Sequence, residues 1–388
     1  MPHVYGILGA GRQGLAAAYD LARFGDAERV ELADVSADAA RAGAERLNRL
    51  LGGDRVGWTR VNAREPREIR EWLAGIDAFL SAVPYGMNPA VARAAIEARA
   101  SMVDLGGNTG VVFEELALDA EARAAGIRIV PDCGLAPGLA QMLAAHGIAR
   151  LDECREVHVR CGGLAQQPGP PLDYWLLFHI GGLINEYTGK GVFLRDGKRI
   201  EVDTLTEVEE LEFPAPVGKA EAFVTSGGTS TCPWTFEGKL DTYDYKTVRY
   251  PGHCRLVACM RDLGLFESDP VEVGGVRVSP RAVFEALAAP RLTRPDVADL
   301  VVLRVACRGT RKGKPAEYVM DLMDFKDPQT GFTAMERTTG FPAAIVLAAL
   351  AAERVPPGAH RLETVPFGPT LLDDLRARGL EMLEWGGP

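Results

Sequence analysis

The chain has 388 residues, enough for two domains each with its own core. At 47% hydrophobic and 25% charged residues it has a globular composition, which excludes disordered and fibrous classes. A net charge of −10 and the lack of any Lys/Arg-dense stretch argue against a nucleic-acid or anionic-membrane partner. The first third alternates short apolar runs with Ala- and Leu-rich runs. Strands are predicted over 4–8, 30–32, 56–61, 78–83, 102–105 and 127–130. Helices are predicted over 13–24, from after the second strand to 51, 89–99 and 114–125. This alternation predicts an α/β fold, a Rossmann-type doubly wound parallel sheet. Beyond residue 150 the pattern changes. Strands are expected over 156–160, over 192–202 around an Asp196-Gly197 turn, over 271–278 around Gly274-Gly275, and over 300–307 and 317–325 about a basic turn. That predicts a second, α+β domain with a mixed or antiparallel sheet. A helix over 341–353 is expected to return to the first domain. The expected domains are 1–135, 136–335 and 336–388.

Seven cysteines, odd in number and without a C-x-x-C pair, argue against disulfide scaffolds and metal knuckles, so no metal is expected and a reducing cytoplasm is. No secretory leader is expected, because the first apolar run passes directly into a glycine motif. The longest apolar run, 341–352, is too short for the roughly 20 residues that span a bilayer.

Gly9-Ala10-Gly11-Arg12-Gln13-Gly14 follows a predicted strand and opens a predicted helix. In that context the first glycine permits a tight turn, the second lets backbone approach a pyrophosphate, and the third allows close helix packing. The anion then faces amides at the helix N-terminus. Asp34 closes the second strand, where a carboxylate accepts from ribose hydroxyls and repels a 2′-phosphate. NAD is expected rather than NADP, since no Lys or Arg follows Asp34 immediately. Ligands of parallel sheets lie beyond the carboxyl ends of the strands. The next loops there carry Val83-Pro84-Tyr85, Leu105-Gly106, and Asp132-Cys133. The first two are assigned to the cofactor. Asp132 is either a proton acceptor or a cap of the following helix, and Cys133 a packed small residue.

At these residues the chain resembles the saccharopine dehydrogenase-like enzymes, and within them the L-lysine 6-dehydrogenases. The resemblance rests on the glycine loop, Asp132-Cys133-Gly134-Leu135-Ala136-Pro137-Gly138, Cys161-Gly162-Gly163-Leu164, Leu183-Ile184-Asn185-Glu186-Tyr187, Tyr245 through His253 including Arg249-Tyr250-Pro251-Gly252-His253, and Thr338-Thr339-Gly340-Phe341-Pro342. It departs where the family has Gly-Gly-Leu-Pro and this chain has Gly163-Leu164-Ala165-Gln166. It implies a second domain carrying substrate contacts and a homodimer interface. It also implies oxidation of the lysine ε-amine to the 6-semialdehyde, which cyclises. The alternative is a saccharopine- or carboxynorspermidine-type reaction on a secondary amine, with Arg160, Arg195 and Arg304 as candidates for a second anionic end. A non-catalytic NAD-binding protein is the reading from another class.

A lysine ε-amine, with a pKa near about 10.4, arrives protonated. A base is needed, and histidine suits it. Arginine suits a carboxylate. His253 is therefore expected near the reacting amine and Arg249 on a substrate carboxylate, against the plain alternative of a turn histidine and a surface arginine. Tyr174 and His179 are further substrate-side candidates, against simple packing. Glu186 and Tyr187 are possible ammonium-side contacts, and His158 a satisfied sheet histidine.

Overall fold

The computed structural model describes residues 2–294 and 296–386; the expected outer limits 1 and 388 lie outside them. Two compact units appear. One comprises residues up to 145 with 327–332 and 336–382; the other comprises 146–326, 333–335 and the residues from 383.

The first unit is built on β1 (His3–Leu8), α1 (Arg12–Phe24), β2 (Ala27–Asp34), α2 (Ala37–Leu51), β3 (Val56–Arg60), α3 (Pro66–Leu73), β4 (Ala78–Ser81), α4 (Asn88–Ala98), β5 (Ser101–Asp104), α5 (Thr109–Leu116), α6 (Asp119–Ala125) and β6 (Arg128–Val130). The strands run parallel in the order β6-β5-β4-β1-β2-β3, and strand Gly358–Ala359 adds to β6. Tyr5, Ile7, Leu32, Phe79, Leu80 and Met102 are fully buried, as strands covered on both faces require. Local chemistry fixes the helix ends. Ser36 accepts from Ala39 N at the start of α2, and Gly52 closes it at φ 67°. The single helix expected over 114–125 is two helices. Asn108 caps α5 by accepting from Gly110 and Val111, and Leu118 leaves helical geometry before α6 begins.

The second unit holds a mixed sheet, preceded by α7 (Leu139–Ile148). Its elements are β7 (Glu153–Ala165), α8 (Ile180–Glu186), β8 (Lys190–Arg195), β9 (Lys198–Asp203), β10 (Glu209–Phe213), β11 (Gly218–Val224), α9 (Cys232–Phe236), β12 (Thr242–Arg249), α10 (His253–Asp262), β13 (Val271–Val273), β14 (Val276–Val278), α11 (Pro280–Leu292), β15 (Asp299–Arg311) and β16 (Lys314–Phe325). The main order is β10-β11-β12-β7-β15-β16, with β12 and β7 parallel and the other neighbours on that path antiparallel. The two expected hairpins form. Both residues of each turn, Asp196-Gly197 and Gly274-Gly275, have positive φ, the geometry that matches strand twist. β7 outruns its expected limits because Cys161 to Ala165 are buried, leaving the alternation of Val157 and Val159 with Glu156 and His158 visible only in its first half.

Six of the seven cysteines are buried, and Cys259 is exposed. Among the described residues no helix is long and apolar enough to cross a membrane.

Within the first unit, Asp20 of α1 is fully buried, and both its oxygens share the Nε–H of Arg378 at 2.8 and 3.0 Å. Arg378→Ala leaves a buried carboxylate without its cation and should destabilise this unit by about 3–5 kcal/mol. Adding Asp20→Asn should recover part of the loss. Urea denaturation of the single and double variants checks both; an unchanged midpoint for Arg378→Ala refutes the expectation.

Candidate functional site

In the first unit β1, β2 and β4 deliver their carboxyl ends to one edge, at the point where the strand order reverses. Gly9 leaves β1 at φ 112°, and a Cβ there would lie 2.6 Å from Ala82 O, so only glycine lets the loop pass β4 this closely. A Cβ on Gly14 would collide with the Gly9 carbonyl. Above Gly11 there is open space for 4 Å, and no side chain caps α1 there. Amides at an uncapped helix start, with room above them, fit a pyrophosphate. Asp34 is half-buried and welded to this loop. Its Oδ2 accepts from Ala10 N at 2.9 Å and its Oδ1 from Ser36 N at 2.8 Å. Arg60, the register partner of Asp34, is exposed and only 3.7 Å from Glu68. Gln13 lies in the first turn of α1 with its Oε1 buried. Arg12, expected on the cofactor, pairs with Glu336 through its Nε at 2.6 Å while half its side chain stays exposed.

Val83 and Pro84 follow β4, and Tyr85 opens a short 3₁₀ turn against which Gly107 packs. Leu105-Gly106 follows β5, where Gly106 N donates to Asp104 Oδ1 at 2.6 Å. Gly106 admits no side chain, because a Cβ would collide with Asp132 Oδ1. Asp132 is 2% exposed and left-handed at φ 63°. The capping alternative for Asp132 is corrected, since the next helix starts only at Leu139. Cys133 is fully buried, and burial with the Asp104 and Asp132 carboxylates pushes its thiol pKa well up, so it stays an unreactive thiol.

In the second unit a strand, a turn and a helix bring Arg249 and His253 together. Arg249 ends β12, Gly252 turns at φ 94°, and His253 begins α10. Glu221 of β11 clamps this turn, its carboxylate accepting from Gly252 N at 2.9 Å and Cys254 N at 2.6 Å. Arg249 is 3% exposed, which excludes the surface alternative. Its Nε donates to Tyr187 Oη at 3.3 Å, its Nη1 to Val248 O at 3.0 Å, and its Nη2 lies 3.5 Å from Glu186. The guanidinium also lies 4.9 Å from the centre of the Tyr174 ring. Burial raises the Glu186 pKa, and Arg249 acts against that rise.

His253 is 2% exposed with both ring nitrogens engaged. Its Nδ1 is 3.0 Å from Leu172 O and its Nε2 is 2.9 Å from Tyr187 Oη. The carbonyl only accepts, so Nδ1 carries the hydrogen and Nε2 accepts from the tyrosine hydroxyl. Burial, helped by Arg249, pulls the His253 pKa down to about 3. The expectation of His253 as base is therefore corrected: it is a neutral side chain that orients Tyr187. His179 is likewise no part of this cluster; it is exposed and accepts from Gly181 N at 3.1 Å, at the start of α8. His158 is the satisfied sheet histidine expected, between Asp244 at 3.0 Å and Glu156 at 3.3 Å.

An uncapped glycine loop, an acidic residue ending β2 and a parallel sheet define the first unit as a Rossmann-type dinucleotide-binding domain. The family model described as the saccharopine dehydrogenase NADP binding domain matches residues 5–130, and that of the saccharopine dehydrogenase C-terminal domain matches residues 134–380. The chain belongs to the saccharopine dehydrogenase family. It is 26% identical over 222 residues to the mitochondrial alpha-aminoadipic semialdehyde synthase of Bos taurus, covering 53% of this chain and 23% of that one. To the saccharopine dehydrogenase (NADP(+), L-glutamate-forming) of Saccharomyces cerevisiae it is 24% identical over 248 residues, covering 58% and 52%. The match thus spans about a quarter of the first relative and about half of the second. The apo saccharopine dehydrogenase (L-Glu forming) of Saccharomyces cerevisiae shares the fold, with a TM-score of 0.79 at 18% identity over 100% of both chains.

Tyr187→Phe removes the hydroxyl that serves Arg249 and His253 at once. It should cost about 1–3 kcal/mol of stability, because two buried polar groups lose a partner. Thermal and urea unfolding report this, and an unaltered stability contradicts the assigned relay.

Proposed function

We propose that the protein is an NAD-dependent dehydrogenase that oxidises the ε-amine of lysine to an imine, which water hydrolyses with release of ammonia to the 6-semialdehyde, and this cyclises to piperideine-6-carboxylate. When bound, the dinucleotide supplies the hydride acceptor. The glycine loop and the start of α1 hold its pyrophosphate, and Asp34 accepts from its ribose hydroxyls. Asp132, at the carboxyl end of β6, is the carboxylate proposed to take the substrate's proton. Arg249 is the cation proposed for the substrate carboxylate, with Tyr174 and Tyr187 fixing its plane.

One observation favours a substrate with a single carboxylate. A secondary amine joining two amino-acid halves needs further cations. Arg304 is bidentate to Asp321, Arg160 is held between Glu209 and Asp244, and Arg195 is paired with Glu207. Each guanidinium already has a carboxylate partner within the unit. The second reading, a saccharopine-type reaction on a secondary amine, is favoured by the names of the relatives. NADP in place of NAD is favoured by the family model's description and by Arg60 beside Asp34.

The test is formation of reduced nicotinamide, followed by absorbance, with L-lysine, saccharopine and carboxynorspermidine, each with NAD and with NADP. Turnover of L-lysine with NAD, faster at alkaline pH where more of the amine is neutral, is expected. Asp34→Ala should narrow the preference for NAD by about tenfold, the worth of one charge-assisted hydrogen bond. Turnover of saccharopine alone establishes the second reading, and NADP preference overturns the role given to Asp34.

A further inference from the structure

Asp104 and Glu115 belong to no role assigned so far. Both are fully buried, Asp104 as the last residue of β5 and Glu115 on α5, and the two carboxyls lie within each other's reach. No N–H or O–H donor reaches either Glu115 oxygen or Asp104 Oδ2, so three buried carboxyl oxygens face one another without a hydrogen bond from elsewhere. Asp104 Oδ1 accepts from Gly106 N at 2.6 Å and from Asp132 N at 3.3 Å. The groups facing the pair are Asp132 and Cys133 from the loop after β6 and Glu114 from α5, none of them cationic.

Two adjoining carboxyls buried away from solvent cannot both ionise. One proton must therefore stay between them. Two backbone N–H groups point at Asp104 and favour its carboxylate, so the proton resides on Glu115. Burial and the Asp104 charge raise the Glu115 pKa, in keeping with this. The same Asp104 oxygen ties together the loop after β5, assigned above to the cofactor, and the loop after β6 that carries Asp132.

We propose that Asp104 and Glu115 are an acid pair sharing one proton, and that this pair positions the 105–109 and 131–133 loops for the dinucleotide. The idea rests on the cofactor reading given above. Asp104 and Glu115 are positioning residues, because neither is open to a ligand.

Three measurements on the full chain test it. Infrared difference spectroscopy at neutral pH should show the carbonyl stretch of a protonated carboxylic acid, lost in Glu115→Gln. Because the Glu115 pKa is raised in the fold, the folded chain keeps a proton that the unfolded chain releases, and stability falls as pH rises toward that value. Glu115→Gln lacks this penalty, so its melting temperature should gain on that of wild type from about pH 5 to about pH 9. Titration with NADH and NADPH, followed by nicotinamide fluorescence, should show affinity roughly tenfold weaker in Asp104→Ala, which drops two backbone hydrogen bonds. Asp104→Asn, whose Oδ1 still accepts from both amides, should restore most of the affinity, and it stands in if Asp104→Ala does not fold. A wild type without the acid band overturns the shared proton. Wild-type affinity in Asp104→Ala overturns the positioning role. If the wild type binds neither dinucleotide, the cofactor reading fails first and the positioning role fails with it; the band still decides the shared proton.

Discussion

Carboxylates aimed at backbone amides hold the glycine loop, the loops after β5 and β6, and the turn between β12 and α10. Asp34 holds the glycine loop by Ala10 N, Asp104 holds Gly106 N and Asp132 N, and Glu221 holds Gly252 N and Cys254 N. Asp299, fully buried, does the same for Ala334 N and Met335 N at 2.8 and 2.9 Å. A charged acceptor makes a hydrogen bond stronger than a neutral one, of the order of 1.5–3 kcal/mol. A carboxylate can serve two amides at once, so one residue fixes a turn that no local repeat of hydrogen bonds would define. These acids add directional bonds to the close backbone packing of the glycine-rich segments.

The second unit shows how charge is distributed when a sheet buries many ionic groups. Asp244, Arg160, Glu209 and Lys246 form a chain of ion pairs across the sheet, continued by His158 on Asp244, and Arg304 with Asp321 form a separate pair. Removing one partner from such a set leaves a buried charge at a cost of several kcal/mol, so these residues serve the fold. The Arg249 cluster differs in kind. Its ion pair with Glu186 is loose at 3.5 Å, while aromatic groups carry much of the contact to the guanidinium. A cation held by rings and a hydroxyl keeps more of its field for an incoming anion than one locked face to face with a carboxylate.

The parts legible in the sequence are those whose cause is local. The Gly9 loop, Asp34 at the end of β2, and the Asp196-Gly197 and Gly274-Gly275 hairpins each depend on a few adjacent residues. The bend at Pro251-Gly252 is legible from its residues, but the helix from His253 to Asp262 is not, because the acid that holds its start, Glu221, is 31 and 33 residues from the amides it serves. The same holds for His253. Residue type and spacing suggested a base, but its burial and its two partners are tertiary facts. Glu115 gave no signal, since a glutamate on a short helix looks like any solvated one until the Asp104 carboxyl is found against it. Arg12 looked like part of the phosphate loop, and its partner Glu336 lies 324 positions further on.

Cys259 lies on α10, the helix that His253 begins, and it is the exposed one of the seven thiols. A gentle alkylating reagent should therefore modify the native chain at one place without any prior cysteine replacement. A fluorophore attached there would ride on the helix whose start is fixed by Glu221, so its emission could report any shift of that turn as ligands are added. The protein thus carries its own attachment point for following motion in the second unit.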